Sequence, residues 1–226
     1  MILLHEDMHL EAEKIALAIK DFFGLDTSII NKSLDGAFQP ILEFDGFWYS
    51  SRGLDKAVRK YAGKAVIVVT PRDLYINDQN KEDDWIFGYY HNDLTVVAAA
   101  RMKRPDNKPS KDIQVPFDLY IKRLSALAVH EIGHDVVKAP HFQPATWVNA
   151  STGYKLGLGR HCTDNSCIMY EVVDIRSPPP AEGYMLLGTE KKFDAGLDDV
   201  LERLNPTWFC DRCAKSIVLE EKHKKT

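Results

Sequence analysis

Two histidines and a glutamate stand at a spacing that suits metal chemistry. His130 and His134 are four positions apart. On a helix this spacing puts both imidazoles on one face, with Cβ atoms about 5–6 Å apart, so both can reach one tetrahedral zinc ion. Glu131 directly follows the first histidine, where it can take a proton from a zinc-bound water. The motif is short, and a helix with one buried and one exposed histidine would also show it.

The segment before this motif predicts the helix that must hold it. Apolar residues recur at helical spacing from Phe117 onwards. Pro116 suits the first turn of a helix, where a missing N–H does little harm. Pro140 must end the helix or follow its end closely. The motif therefore lies inside a long predicted helix.

A second set of metal-binding residue types follows the helix. His161 stands next to Cys162, Cys167 comes shortly after, and Cys210 and Cys213 form a Cys-x-x-Cys pair that completes the four cysteines of the chain. A catalytic zinc keeps three protein ligands and an open position for water, whereas a structural zinc is closed by four ligands. Three histidines and four cysteines therefore fit one zinc site of each kind.

This arrangement resembles the archaemetzincins, a family of metzincin-like zinc proteases. Their signature is a zinc-binding helix, a third histidine with a cysteine directly after it, a second cysteine, a methionine two residues further and a terminal Cys-x-x-Cys. The matching positions here are His130, Glu131, His134, His161, Cys162, Cys167, Met169, Cys210 and Cys213. The segments 64–70, 73–75 and 85–88 are also similar to a strand, a turn and a second strand of the family. The resemblance extends from about Ser51 to Cys213.

The resemblance implies a zinc-dependent peptidase with two zinc ions per chain. The catalytic zinc would be held by His130, His134 and His161, and the structural zinc by the four cysteines. Met169 would form an apolar floor beneath the catalytic zinc. Because zinc lowers the pKa of its bound water to about 7, hydroxide would be available near neutrality, with Glu131 as the general base of peptide hydrolysis.

Two insertions distinguish this chain from the family pattern. His161 lies 27 positions beyond His134, where the family has six. Gly157 and Gly159 could supply the backbone freedom that brings the chain back before His161. The competing third ligand is His141. We favour His161, because the cysteine and methionine landmarks are attached to it, and we interpret His141 as a histidine of a surface loop.

The second insertion lies between Met169 and Cys210 and contains the proline-rich segment 176–183, which cannot be helix or central strand. An amphipathic helix is predicted at 193–204. The two insertions either narrow the substrate cleft or form surface loops. Two other hypotheses stay open: a zincin with Glu171 or Glu182 as third ligand, and a non-catalytic zinc-binding scaffold. The intact Glu131 favours an enzyme, since a scaffold needs no general base.

The order of elements predicts an α+β, metzincin-like fold with a mixed sheet, an active-site helix and a loop-rich C-terminal part. We expect one catalytic domain over 1–226, with a sheet and helix part at about 1–138 and a zinc-anchored part at about 139–226. Helices are predicted at about 8–23 and 54–61, and strands near 41–44, 48–50, 65–69, 85–90 and 94–100. The edge strand is expected within 85–100, where backbone pairing could hold a peptide extended.

Composition agrees with a compact enzyme that stays in a reducing compartment. The chain has 226 residues, 45% of them hydrophobic, and a net charge of −4, without the basic stripe of a nucleic-acid-binding protein. No apolar run reaches the ~20 residues that span a membrane. The apolar segment at the N-terminus is too short for a secretory signal, and acidic residues follow it closely, so we expect a cytoplasmic protein. We also expect a monomer that acts on peptides or proteins. Its cysteines are then metal ligands in preference to disulfides. The basic tail 222–226 is interpreted as a solvated end.

Overall fold

The structure, a computed structural model, describes residues 1–33, 48–50, 61, 63–75, 85–91, 93–106, 108–149, 155–172, 175, 184–187 and 196–224. The chain divides into two units. The first comprises Met1–Asp135 and Leu219–Thr226, and the second comprises Val136–Val218. The single catalytic domain expected from the sequence stays a prediction.

Eight strands are described in the first unit. In chain order they are β1 (Ile2–His5), β2 (Ser28–Asn31), β3 (Trp48–Ser50), β4 (Val66–Thr70), β5 (Asp73–Tyr75), β6 (Trp85–Ile86), β7 (Gly88–His91) and β8 (Leu94–Ala98). Five of them form a mixed sheet in the order β2-β1-β4-β8-β7, and β3-β5-β6 form a small second sheet. The five-stranded sheet is parallel except for β7, which pairs antiparallel with β8.

The burial of the central strands follows from their sequences. Every residue of β1, β4 and β8 is buried. Their continuous apolar runs are typical of parallel strands that are covered on both faces. β7 has only half-buried and exposed residues and forms one edge of the sheet. The edge strand expected within 85–100 is therefore confirmed.

Five α-helices are described: α1 (His9–Phe23), α2 (Phe117–Val136), α3 (Leu197–Arg203), α4 (Asp211–Ala214) and α5 (Glu221–Lys224). α1 ends at Gly24, whose left-handed backbone (φ 68°) lets its N–H reach Lys20 O. α2 begins after Pro116, whose carbonyl accepts the N–H of Tyr120. The predicted helices at 8–23 and around the histidine motif are confirmed. Among the described residues, no helix combines the length and apolar character that a membrane crossing requires.

A buried arginine fixes the first half of α2. Arg123 is almost inaccessible, and its Nη1 donates to the carbonyl oxygens of Met102 and Arg104 at 2.8 and 2.9 Å. These two carbonyls belong to the short 3₁₀ segment Arg101–Lys103 and to the residue that follows it. A buried guanidinium needs such acceptors, because an unsatisfied charged donor is costly in the interior. The helix that carries the histidine motif is thus held to the chain that follows β8.

A buried ion pair lies beside the small sheet of the first unit. Arg101 Nε donates to both carboxylate oxygens of Asp73, at 3.0 and 2.9 Å, and Asp73 is fully buried. The Arg101 guanidinium also lies 4.0 Å from the centre of the Trp85 ring. Burial raises the pKa of Asp73 to about 6, although Arg101 opposes the shift. Removing either partner would leave an uncompensated buried charge.

The second unit contains a three-stranded antiparallel sheet, in the order β10-β9-β11. Its strands are β9 (Gln143–Asn149), β10 (Lys155–His161) and β11 (Tyr184–Leu187). The register of β10 against β9 shifts between Gly157 and Gly159, and Gly159 has φ 91°. A bulge with a left-handed glycine bends the strand just before His161. The unusual backbone expected at these glycines is therefore confirmed at Gly159.

The prediction of a loop-rich C-terminal part was wrong for the two insertions. β9 and β10 lie in the first insertion and β11 in the second, so both contribute to one sheet. The two glycines of β10 were interpreted as part of a turn, although they lie in a bulged strand. Pro144 is tolerated in β9 because it lies beyond the residues that pair with β11.

Other predicted elements have mixed outcomes. The strands near 48–50, 65–69, 85–90 and 94–100 are confirmed. The helix predicted at 193–204 is confirmed at Leu197–Arg203 as α3, and residues 193–195 lie outside the described residues. The predicted strand near 41–44, the proline-rich segment 176–183, and the predicted helix at 54–61 except for residue 61 lie outside the described residues. At the coarse level, the fold is a mixed α/β fold with a mainly parallel sheet.

Candidate functional site

The two histidines of α2 face each other as metal ligands would. Their Nε2 atoms are 3.1 Å apart, and the two rings stand nearly perpendicular, with centroids 4.8 Å apart. Two nitrogens bound to one tetrahedral zinc at about 2.0–2.1 Å would be about 3.3 Å apart. The spacing of His130 and His134 therefore fits a shared zinc ion.

Burial keeps His134 in the form that binds metal. It lowers the pKa of His134 to about 3, with a further contribution from neighbouring His130. At neutral pH the His134 imidazole is therefore uncharged, and a metal ion does not have to displace a proton from it.

Glu131 lies between these two histidines in the sequence and is also buried. Burial raises its pKa to about 8, far above the ordinary range of a glutamate. The side chain packs against the edge strand β7, since a Cβ atom added at Gly88 would lie 3.3 Å from both Glu131 Cγ and Oε1. Glu131 therefore lies beside the edge strand of the described sheet, where burial shifts its pKa towards neutrality.

The residue after His134 anchors the C-terminal segment of the first unit. Asp135 Oδ1 accepts from Lys222 Nζ at 3.0 Å, and its Oδ2 lies 2.7 Å from His223 Nε2. Lys222 also donates to Asp93 Oδ1 at 2.6 Å. The interpretation of 222–226 as a solvated tail was wrong for Lys222 and His223, since His223 is fully buried. Asp135 is 87 positions from Lys222 and 88 from His223, so the local sequence pattern could not predict these contacts. Only the opposite charges of the residues were visible in the sequence.

In the second unit, His161 ends β10 and lies beside a buried carboxyl group. His161 Nδ1 is 3.9 Å from Glu171 Oε2, and both side chains are buried. Burial raises the pKa of Glu171 to about 7, and its Oε1 has no hydrogen-bond partner among the described residues. Met169 is fully buried, and its carbonyl accepts the N–H of Cys162 at 2.8 Å.

His161 as third ligand, Met169 as apolar floor and Glu131 as general base stay predictions, as does Glu171 as an alternative ligand. Glu182 lies outside the described residues.

The four cysteines of the chain are free, buried and close together. Cys162 Sγ lies 3.8 Å from Cys210 Sγ, and Cys162 and Cys213 both hydrogen-bond to Cys167. These hydrogen bonds lower the pKa of the Cys167 thiol. A dense group of unpaired thiols fits a zinc-thiolate site, since thiolate is the form that binds the metal.

His141 also belongs to this cluster. Its Nε2 lies 3.2 Å from Cys162 Sγ and 3.5 Å from Cys213 Sγ. The set whose ligand atoms all lie within 4.8 Å of one another consists of His141, Cys162, Cys210 and Cys213, without Cys167. The interpretation of His141 as a surface-loop histidine was therefore wrong, because the fold brings it to cysteines that are distant in sequence. Cys167 as a zinc ligand stays a prediction.

Comparison with known proteins supports the fold. The sequence matches no family model and no curated protein. Among solved structures, archaemetzincin from Methanopyrus kandleri is 19% identical, with a TM-score of 0.53 over 95% of this chain and 90% of that chain. The fold is similar to that of archaemetzincin. The resemblance predicted from the sequence is thus confirmed at the level of the fold.

A zinc-dependent peptidase from Methanocorpusculum labreanum (strain Z) is also similar. It is 16% identical, with a TM-score of 0.47 over 96% of this chain and 99% of that chain.

Proposed function

We propose that this protein is a zinc-dependent peptidase. The observation that carries the proposal is the pair of Nε2 atoms of His130 and His134, 3.1 Å apart on α2, with the buried Glu131 beside the first of them. A similar fold in a protein named archaemetzincin supports the same class of enzyme. Two imidazoles and an adjacent carboxylate are the groups that zinc-assisted hydrolysis needs.

His161 is proposed as the third ligand of this zinc. Two histidines on one helical turn supply two corners of a tetrahedron, so the third ligand must come from another segment. His161 follows the bulge at Gly159 and directly precedes Cys162. Glu171 Oε2 lies 3.9 Å from His161 Nδ1, which is beyond hydrogen-bonding distance. A small side-chain shift would let this carboxylate accept the Nδ1–H of a histidine that binds metal through Nε2, as is common for metal-bound histidines.

The chain's own contribution to the reaction centres on Glu131. When bound, zinc polarises a carbonyl group and lowers the pKa of a water to about 7. Glu131 would accept the proton of the attacking water and deliver it to the departing amine. A carboxyl group whose pKa is raised by burial is suited to both steps, because it can gain and lose a proton near neutral pH.

The substrate would lie along β7. This strand is an edge of the five-stranded sheet, and Gly88 at its start lies against Glu131. An extended peptide could pair with the open backbone groups of such an edge, next to the general base. The substrate class is therefore peptides or proteins with an unfolded segment at the cleaved bond.

A second zinc ion is proposed for the cysteine cluster of the second unit. The buried thiols and the imidazole of His141 exceed the four ligands of a closed tetrahedral site. This zinc would have a structural role, because it would tie the end of β10 to the distant Cys-x-x-Cys pair at α4. Two zinc ions per chain follow.

The alternative is a non-catalytic zinc-binding scaffold. It would share both metal sites but would have no use for Glu131, whose burial in the ionised form is costly. The carboxyl group at this position favours the enzyme.

A peptide-library assay on the zinc-loaded protein tests the proposal. Hydrolysis should disappear after removal of the metal by a chelator and return on addition of zinc. The Glu131→Gln variant is the matched control for a contaminating protease, because it should bind zinc and cleave nothing. Zinc bound at the histidines without any hydrolysis would favour the scaffold.

A further inference from the structure

The cysteine cluster of the second unit offers one ligand more than a tetrahedral zinc ion uses. Five side chains meet there: His141, Cys162, Cys167, Cys210 and Cys213. We propose that His141 binds this zinc through Nε2, together with Cys162, Cys210 and Cys213, and that Cys167 stays outside the coordination shell. The inference rests on the second zinc proposed above and does not depend on peptidase activity.

Three distances within this set are close to the edges of a zinc tetrahedron. With Zn–S bonds of about 2.3 Å and a Zn–N bond of about 2.0–2.1 Å, two sulfurs are about 3.8 Å apart and a sulfur and a nitrogen about 3.5 Å. Cys162 Sγ and Cys210 Sγ are 3.8 Å apart. His141 Nε2 lies 3.2 Å from Cys162 Sγ and 3.5 Å from Cys213 Sγ. His141 thus occupies a corner without a further movement of the chain.

His141 and Cys167 compete for the same corner. Both contact the sulfurs of Cys162 and Cys213, and one tetrahedral ion cannot accept both in addition to Cys210. Only His141 belongs to the set whose ligand atoms are all within 4.8 Å of one another. The geometry of the set therefore favours His141 for the fourth position.

The position of His141 is fixed by the start of the first insertion. The N–H of Phe142 donates to Ala139 O at 3.3 Å, which closes a turn around His141, and the Phe142 carbonyl accepts from Arg160 Nη2 at 2.6 Å. Phe142 is buried, and its ring lies edge-on to the His141 ring at 5.3 Å. β9 begins directly after this turn, and Cys162 directly follows β10. A zinc bound to both His141 and Cys162 would therefore hold together the start of β9 and the end of β10.

His141 also gives the site a side that solvent can reach. It is half-buried and lines an open cavity of about 360 Å³, together with Asp164, Cys210 and Arg212 among others. A chelator approaching through this cavity would meet His141 and Cys210. The rate of zinc loss to a chelator therefore depends on the residue at position 141.

Zinc X-ray absorption on the full-length chain tests the ligand set. In a His130→Ala, His134→Ala background, one zinc should remain, with three sulfurs and one nitrogen in its shell. Four sulfurs, or no bound zinc, would overturn the proposal. This background abolishes the peptidase site, so the result is independent of the proposed activity.

Two further variants in the same background form a matched pair. His141→Ala should remove the nitrogen scatterer and make zinc loss to a chelator at least tenfold faster. Cys167→Ser should leave the three sulfurs and the nitrogen in place. If Cys167→Ser exchanged a sulfur for a lighter atom while His141→Ala changed nothing, Cys167 would be the ligand. Should either variant fail to fold, the spectrum of the background protein alone decides.

Discussion

Replacing Glu131 by glutamine separates proton transfer from metal binding. The two side chains have nearly the same shape, and the position is buried, so the packing against β7 should persist. The ligands His130 and His134 are unchanged, and zinc content should therefore stay at the parent value. Loss of a general base typically costs 10²–10⁴-fold in rate, which raises the barrier by about 3–5 kcal/mol. We expect kcat to fall by this amount.

The same substitution should change the stability of the metal-stripped protein with a defined sign. Burial raises the pKa of Glu131 from an ordinary 4.5 to about 8. A carboxyl group whose pKa is raised on folding destabilises the native state once the pH exceeds its unfolded pKa, and the effect is complete above the folded pKa. Because one pKa unit corresponds to about 1.4 kcal/mol and pH 7 lies about 2.5 units above the ordinary value, the penalty at pH 7 is about 3 kcal/mol.

The glutamine variant lacks this penalty. In the metal-stripped state, its free energy of unfolding at pH 7 should exceed that of the parent by about 3 kcal/mol. This difference should nearly vanish as the pH falls to 4.5. Urea denaturation at several pH values, peptide hydrolysis and zinc analysis measure the three quantities. Glu202→Gln on the exposed side of α3 is the control, with no expected change in any of them. A Glu131→Gln protein that cleaves at the parent rate would refute the assignment of the general base.

Three other substitutions test separate parts of the account. His161→Ala should abolish hydrolysis and remove the zinc held by α2, whereas His141→Ala should leave that zinc in place; the opposite pattern of zinc content would reverse the assignment. Gly88→Ala would press a methyl group against the backbone of β8 and against Glu131. The free energy of unfolding measured in urea should fall by about 1–3 kcal/mol, and hydrolysis should become slower. Parent-like values for both would contradict the proposed packing. Arg101→Met would leave Asp73 buried without its partner, so the free energy of unfolding should fall by about 3–5 kcal/mol at pH 7. A loss below about 1 kcal/mol would contradict the stabilising role of this ion pair.

The parts of the fold that were predicted correctly have strong local patterns. The helix around His130 follows from apolar periodicity and from Pro116, and β4 follows from a continuous apolar run. The histidine motif needs only this helix to bring its two imidazoles together. Its geometry could therefore be predicted from spacing alone.

The parts that were missed depend on contacts between distant segments. Nothing near His141 in the sequence indicates that it meets Cys162 and Cys213, and nothing near His223 indicates that it meets Asp135. Strand β11 was missed for a similar reason, since it pairs with β9 across two separate insertions, whereas β9 and β10 pair within the first insertion. Tertiary contacts of this kind override local preference.

The most direct test of the central claim is a crystal structure of the zinc-loaded protein with anomalous scattering measured at the zinc edge. The account predicts one anomalous peak within about 2.0–2.1 Å of the Nε2 atoms of His130 and His134, with His161 as the third protein ligand and one position open. It would be contradicted by a structure in which no zinc lies between the two helix histidines, or in which four protein ligands close that site and leave no place for water.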